Sequence, residues 1–241
     1  MKVTFITHSC FVVETEEIII VFDYYKGTLP SFDNNKPIFF FSSHIHYDHF
    51  SVKIFDFAEQ YKDVTYILSE DICSHKTLDS YLEEKEFNRG QLYFMNAHEE
   101  KSFPSISLTI KTLDSTDEGV AFILFAKDKT IYHSGDLHWW SWQGETEEEY
   151  KNMTDKYQAE VSHLKGIPID VAFLPLDPRQ EDRYWWGIDY FMREIDASIV
   201  FPIHMWEDYS IIHKLKALDI TQKYRDKILT ITEENQIFQL S

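Results

Sequence analysis

Apolar and polar positions along the chain form short runs whose period switches repeatedly between strand and helix spacing. Lys2–Ile6, Phe11–Glu14 and Glu17–Phe22 predict strands, the last with the β-branched run Ile18–Val21. Pro37–Phe41 is continuously apolar, as in a strand buried on both faces. From Ser51, the positions Val52, Phe55, Ala58 and Tyr61 recur at helical spacing; Val64–Leu68 predicts a strand and Ser74–Glu86 a helix. Gln91–Met95, Ser105–Leu113, Val120–Ala126 and Thr130–His133 read as strands again. Glu145–Leu164 predicts one long helix, its acidic first turn matching the positive end of the helix dipole. Gly166 and Pro168 punctuate its end. Strands at Ile169–Pro175 and Ser198–Phe201 flank a helix at Gly187–Glu194. A helix at Ile211–Leu218 and strands at Ile228–Thr232 and Gln236–Leu240 follow. Strands and helices mix in both halves, which predicts a layered α/β arrangement. With no repeat and no Ser/Gly-rich linker, residues 1–241 read as a single domain.

Composition narrows the partners. The net charge of −18 repels phosphate backbones at long range, so nucleic acid is not an expected partner. No basic segment leads into a long apolar stretch at the start, and no apolar run approaches membrane-spanning length. Two cysteines, Cys10 and Cys73, are too few for a disulfide framework. These features predict a cytoplasmic protein with no membrane partner; a homo-oligomer is compatible with them.

The strongest chemical signal is Ser43–His49, which reads SHIHYDH. Three His and one Asp lie between an apolar strand and a helix, at the carboxyl end of that strand, where layered α/β proteins collect binding sites. Imidazole and carboxylate are ligands of zinc and of harder first-row ions. The spacing does not fit one helical face; it fits an extended loop offering successive side chains to two neighbouring metals. Lone polar residues also follow apolar strands at His8, Asp23, Asp136, Asp177 and His204, which implies strand ends converging on one edge.

His44, His46, Asp48 and His49, the Gly135-Asp136 pair and His204 resemble the metallo-β-lactamase superfamily over nearly the whole chain. The N-terminal ITHSCFVVET…IIIVFD resembles the ascorbate-phosphate lactonase branch, in which a His follows the first strand and an Asp the third, here His8 and Asp23. The resemblance implies a four-layer αββα sandwich. It places His44 and His46 on a first metal and Asp48, His49 and His204 on a second, bridged by Asp136. It departs in one place: where the family supplies a further His, Leu113–Gly119 has none. Asp114, Ser115 or Asp117 could stand in, and Asp117 is the expected ligand. Asp23 is a candidate supporting residue, and His138, two residues after Asp136, a candidate for either role.

The resemblance implies one or two divalent ions, zinc or manganese with iron also open, activating water against a small ester, lactone, amide or phosphate-bearing substrate. Asp48 would orient the water or accept its proton; His8 would stabilise the oxyanion or protonate the leaving group. Trp139 and Trp140 would wall the substrate pocket, and Arg179 or Arg183 would contact an anionic group. Two alternatives remain at this level: a metal-binding or regulatory module with little turnover, and an RNA phosphodiesterase, against which the charge counts.

Overall fold

The computed structural model describes residues 1–240, which form two compact units. The first comprises Met1–Asn96 with the segment from Glu234 onward, the second Ala97–Glu233.

The first unit is built on a sheet of β1 (Lys2–Thr7), β2 (Cys10–Glu14), β3 (Ile19–Phe22), β4 (Ile38–Ser42), β5 (Val64–Ser69) and β6 (Leu92–Met95), with β13 (Ile237–Gln239) beyond β1. Its order is β13-β1-β2-β3-β4-β5-β6; pairing is antiparallel up to β3 and parallel from β3 to β6. Every residue of β3, β4 and β5 is buried, which for β4 is what the PIFFF run predicts. One face packs Val21, Phe40, Tyr66 and Leu68 with Ile54, Phe55, Leu78 and Leu82. Each such aliphatic or aromatic side chain contributes about 1.5–3 kcal/mol of burial.

The helices here are shorter than the spacing predicts. From Ser51 the chain forms a 3-10 turn, Val52–Asp56, and then a single α turn, α1 (Phe57–Gln60), which stops where Tyr61 turns extended. The expected Ser74–Glu86 helix contracts to α2 (Leu78–Glu84), because His75 is extended after a 3-10 turn at Glu70–Ser74.

The second unit has a six-stranded sheet in the order β12-β11-β10-β9-β8-β7. Its strands are β7 (Glu100–Phe103), β8 (Leu108–Asp114), β9 (Val120–Ala126), β10 (Lys129–His133), β11 (Val171–Pro175) and β12 (Ile199–Ile203). β10, β11 and β12 run parallel; the others pair antiparallel. The helices are α3 (Glu147–Ser162), α4 (Trp186–Glu194) and α5 (Ser210–Ala217). Thr146 and Glu149 form a reciprocal capping box at the start of α3.

Two expectations fail in this unit. The strand expected from Ser105 starts at Leu108, because Pro104–Ile106 is a 3-10 turn and Ser107 is left-handed. Ile228–Thr232 is no strand. It makes one bridge, Ile228 to Val200, while Leu229 donates its N–H to Val200 and Lys216 occupies the Ile228 carbonyl. No helix among the described residues is long and apolar enough to cross a membrane.

Candidate metal centre

Three candidate residues stand directly after strands in left-handed backbone conformation: His8 after β1 (φ 49°), Asp23 after β3 (φ 45°) and His204 after β12 (φ 61°). Gly135, just before Asp136, shares it (φ 50°). An L residue there costs of order 1 kcal/mol, and His and Asp tolerate it better than branched residues. At each position the chain breaks off from the strand direction in one step.

In the first unit, Asp23 is the hub. It is fully buried and accepts the Ser43 N–H at 2.7 Å, the Ser43 hydroxyl at 2.8 Å and Nδ1 of His49 at 2.8 Å. The Ser43 hydroxyl proton is thereby committed to Asp23, so the Ser43 oxygen accepts from Nδ1 of His44 at 3.0 Å. A carboxylate can only accept, so Nδ1 of His49 carries the proton and Nε2 is the acceptor nitrogen. The loop carrying these histidines is held at Ile45, whose N–H donates to Asp71 at 2.8 Å, and at His46, whose carbonyl accepts from His49 and Phe50. The rings of His44 and His46 lie 4.7 Å apart, and donor atoms of His8, Asp48 and His49 lie within 4.8 Å of one another. Nε2 of His8 is 3.4 Å from Asp48. Burial pushes the Asp48 carboxyl up, but the adjacent His8 and His49 imidazoles hold it well below the usual carboxylate range.

The second unit repeats the device. His204 is buried, and its Nδ1 donates to Asp177 at 2.9 Å, again leaving Nε2 as acceptor; that nitrogen lies 3.5 Å from Asp136. Asp177 has no exposed surface, yet the hydrogen bonds from His204 and Arg179 outweigh burial and keep its carboxyl well below the usual range. The Asp136 loop is pinned through its carbonyl by the Thr116 hydroxyl at 3.2 Å and the Trp140 indole at 3.0 Å. Carboxylate oxygens of Asp117 and Asp136 lie within 4.8 Å of each other; the Asp117 N–H donates to the Ser115 hydroxyl.

Other candidates take different places. Nε2 of His138 bonds Gln180 at 2.7 Å and its ring packs on Gly187, so it is a buried core histidine, and burial lowers its pKa to about 4. Trp140 flanks His204 at 5.4 Å, whereas Trp139 joins Tyr150, Trp185 and Trp186 around a separate pocket of about 230 Å³. Arg183 braces the Ser141 hydroxyl and the Trp142 carbonyl, each at 2.8 Å. Arg179 pairs with Asp177 and lies over the Trp206 ring at 4.5 Å with half its side chain exposed. Asp177 is the residue whose part sequence reasoning missed; its only signal was a polar position after an apolar strand.

Residues 2–204 match a family model described as a beta-lactamase superfamily domain. The fold is similar to that of Igni18, a metallo hydrolase from Ignicoccus hospitalis (TM-score 0.64, 18% identity, covering 100% of this chain and 99% of that one). It is similar to YhfI, a metallo-β-lactamase fold protein from Bacillus subtilis (TM-score 0.61, 13% identity, 98% of each chain). It is also similar to CmlA, a diiron β-hydroxylase from Streptomyces venezuelae (TM-score 0.62, 11% identity, 99% of this chain and 54% of that one). At these identities the likeness is one of fold. No curated protein matches the sequence.

Proposed function

Since the chain belongs to the metallo-β-lactamase superfamily, we propose that it is a metal-dependent hydrolase of a small ester, lactone, amide or phosphate-bearing substrate. In this reading His44, His46 and Asp117 serve one divalent ion, Asp48, His49 and His204 a second, and Asp136 both. One observation carries it: His49 and His204 are each gripped at Nδ1 by a buried carboxylate, Asp23 and Asp177. That is how metal-ligating histidines are fixed in tautomer and orientation. The donor set, imidazoles with carboxylates, fits zinc, manganese or iron.

A divalent ion so held supplies Lewis acidity to a substrate oxygen and lowers the pKa of a water to near neutrality. The chain's own groups divide the remaining work. Asp48, kept ionised, orients the attacking water and takes its proton. His8, 3.4 Å from Asp48, relays that proton to the leaving group. Trp140 keeps bulk water from the His204 side. Arg179, half exposed and paired with Asp177, is the group for an anionic substrate, and Arg183 braces the Ser141–Trp142 turn beside it. With Asp117 in place of an imidazole, the first ion has a harder donor set, which favours manganese or iron over zinc there. A net charge of −18 disfavours RNA as substrate, and two free cysteines fit a cytoplasmic location.

The test uses metal-stripped protein reconstituted with zinc, manganese or iron and assayed on lactone, ester, amide and phosphodiester panels. Metal content and hydrolysis are expected to fall together in His46→Ala and Asp48→Ala, with circular dichroism unchanged. Asp117→His should raise zinc occupancy. Full metal content in both alanine variants would sink the ligand assignment; bound metal without turnover on any panel would favour the binding-module reading.

A further inference from the structure

We infer that the second unit carries an additional, peripheral zinc site formed by His98, Glu160 and His163. One donor atom from each of these residues lies within 4.8 Å of the others. None of the three belongs to the centre described above, and all lie within the second unit.

Each ligand is held by its element. Glu160 and His163 are three apart at the end of α3, so their side chains rise from one helix face. His98 stands just before β7 in left-handed conformation (φ 60°), its N–H bonded to the Thr112 carbonyl at 3.1 Å. Glu160 is aimed by its far oxygen, which accepts the Asp114 N–H at 3.1 Å. The near oxygen lies 3.5 Å from Nε2 of His98, and the rings of His98 and His163 are 5.2 Å apart.

Two arguments turn this contact from an ion pair into a metal site. The first is distance. A direct charge-assisted pair closes to about 2.7–2.9 Å. Two ligands on a tetrahedral zinc, with bonds of about 2.0–2.1 Å, stand about 3.3 Å apart. The 3.5 Å separation matches the second spacing, and a simple pair leaves the approach of His163 without a purpose. The second is charge. The C-terminal end of α3 carries the negative end of the helix dipole, and no basic residue lies in its last turn. A cation between these ligands meets that need.

Two imidazoles and one carboxylate suit zinc, and three protein ligands leave a fourth position for water or an exchangeable ligand. The half-exposed His98 gives the ion an open approach. Bound there, it would clip the segment ahead of β7 to the end of α3.

The experiment is titration of metal-stripped full-length protein with zinc against a chromophoric chelator, for wild type, His98→Ala, His163→Ala, Glu160→Gln and the neighbouring control Lys165→Ala. Each of the three ligand variants is expected to bind one zinc equivalent fewer than wild type and Lys165→Ala, with unchanged far-ultraviolet circular dichroism. The same loss is expected in a His46→Ala background, which separates this site from the proposed hydrolytic centre. In histidine-selective NMR, zinc should shift the His98 and His163 ring resonances together. Equal stoichiometry in wild type and all three variants, or ring resonances that ignore zinc, would overturn the assignment.

Discussion

Asp177 has no exposed surface, yet it accepts from Nδ1 of His204, from Arg179 and from the Trp206 indole. A buried carboxylate with so many donors is worth its desolvation only if its charge is used, and here it fixes the tautomer of one imidazole and raises its basicity. Asp177→Asn keeps the shape and removes the charge. Metal affinity should fall about 10–100-fold, the usual cost of losing such a supporting carboxylate. Arg179→Ala, which removes a different partner of Asp177, should leave affinity near wild type. Competition with a chelator of known affinity reads both; an Asp177→Asn protein that binds as tightly as wild type would show that His204 needs no such brace. Asp23 does the same for His49 in the first unit. Its supporting role was an expectation from the resemblance of the N-terminal segment, whereas the pairing of Asp177 with His204, 27 positions away, was not written in any local pattern.

At the scale of elements, α4 approaches the residues after β10 so closely that side-chain size is fixed. A Cβ at Gly187 would stand 2.3 Å from Cε1 of His138. Gly187→Ala should therefore destabilise the protein by about 1–3 kcal/mol, through displacement of the ring and loss of its bond to Gln180, which also holds the Trp139 carbonyl. Urea unfolding measures this, and the double variant Gly187→Ala/His138→Ala should relieve the clash; a single variant as stable as wild type would mean that α4 has slack. What the sequence made legible follows the same logic of burial. Strands with strong apolar runs, such as β4 and β9, were placed within a residue or so of their bounds. β7 was missed because EKSF is a polar edge strand, defined by its ladder to β8 and not by apolar periodicity. Ile228–Thr232 has strand composition but only one bridging partner. The SHIHYDH loop was legible because dense ligand chemistry needs no periodicity; the fates of Trp139, Trp140 and Arg183 depended on which way each side chain turns.

For the whole molecule, the proposed ligands come from residues 44–49 and 117–204, two stretches far apart in sequence. An ion that binds the folded chain and not the unfolded one adds RT ln(1 + [metal]/Kd), about 2.7 kcal/mol at a hundredfold excess over Kd. For a chain of this length each kcal/mol moves Tm by about 2–4 °C, so saturation should raise Tm by about 5–10 °C. The acidic surface works in the same direction, because divalent ions offset part of the self-repulsion of a chain with net charge −18. That second effect is nonspecific and is shared by magnesium, so the comparison runs zinc or manganese against an equal ionic strength of magnesium. The peripheral site proposed at His98, Glu160 and His163 would add its own increment, and the melts are therefore made in a His98→Ala background. There, zinc or manganese should raise Tm well beyond magnesium, and His46→Ala or His204→Ala should each remove most of the difference. A metal-specific shift that survives both substitutions would place the stabilising ion elsewhere, and its absence from the His98→Ala protein would mean that these ligands do not hold a metal in the folded chain.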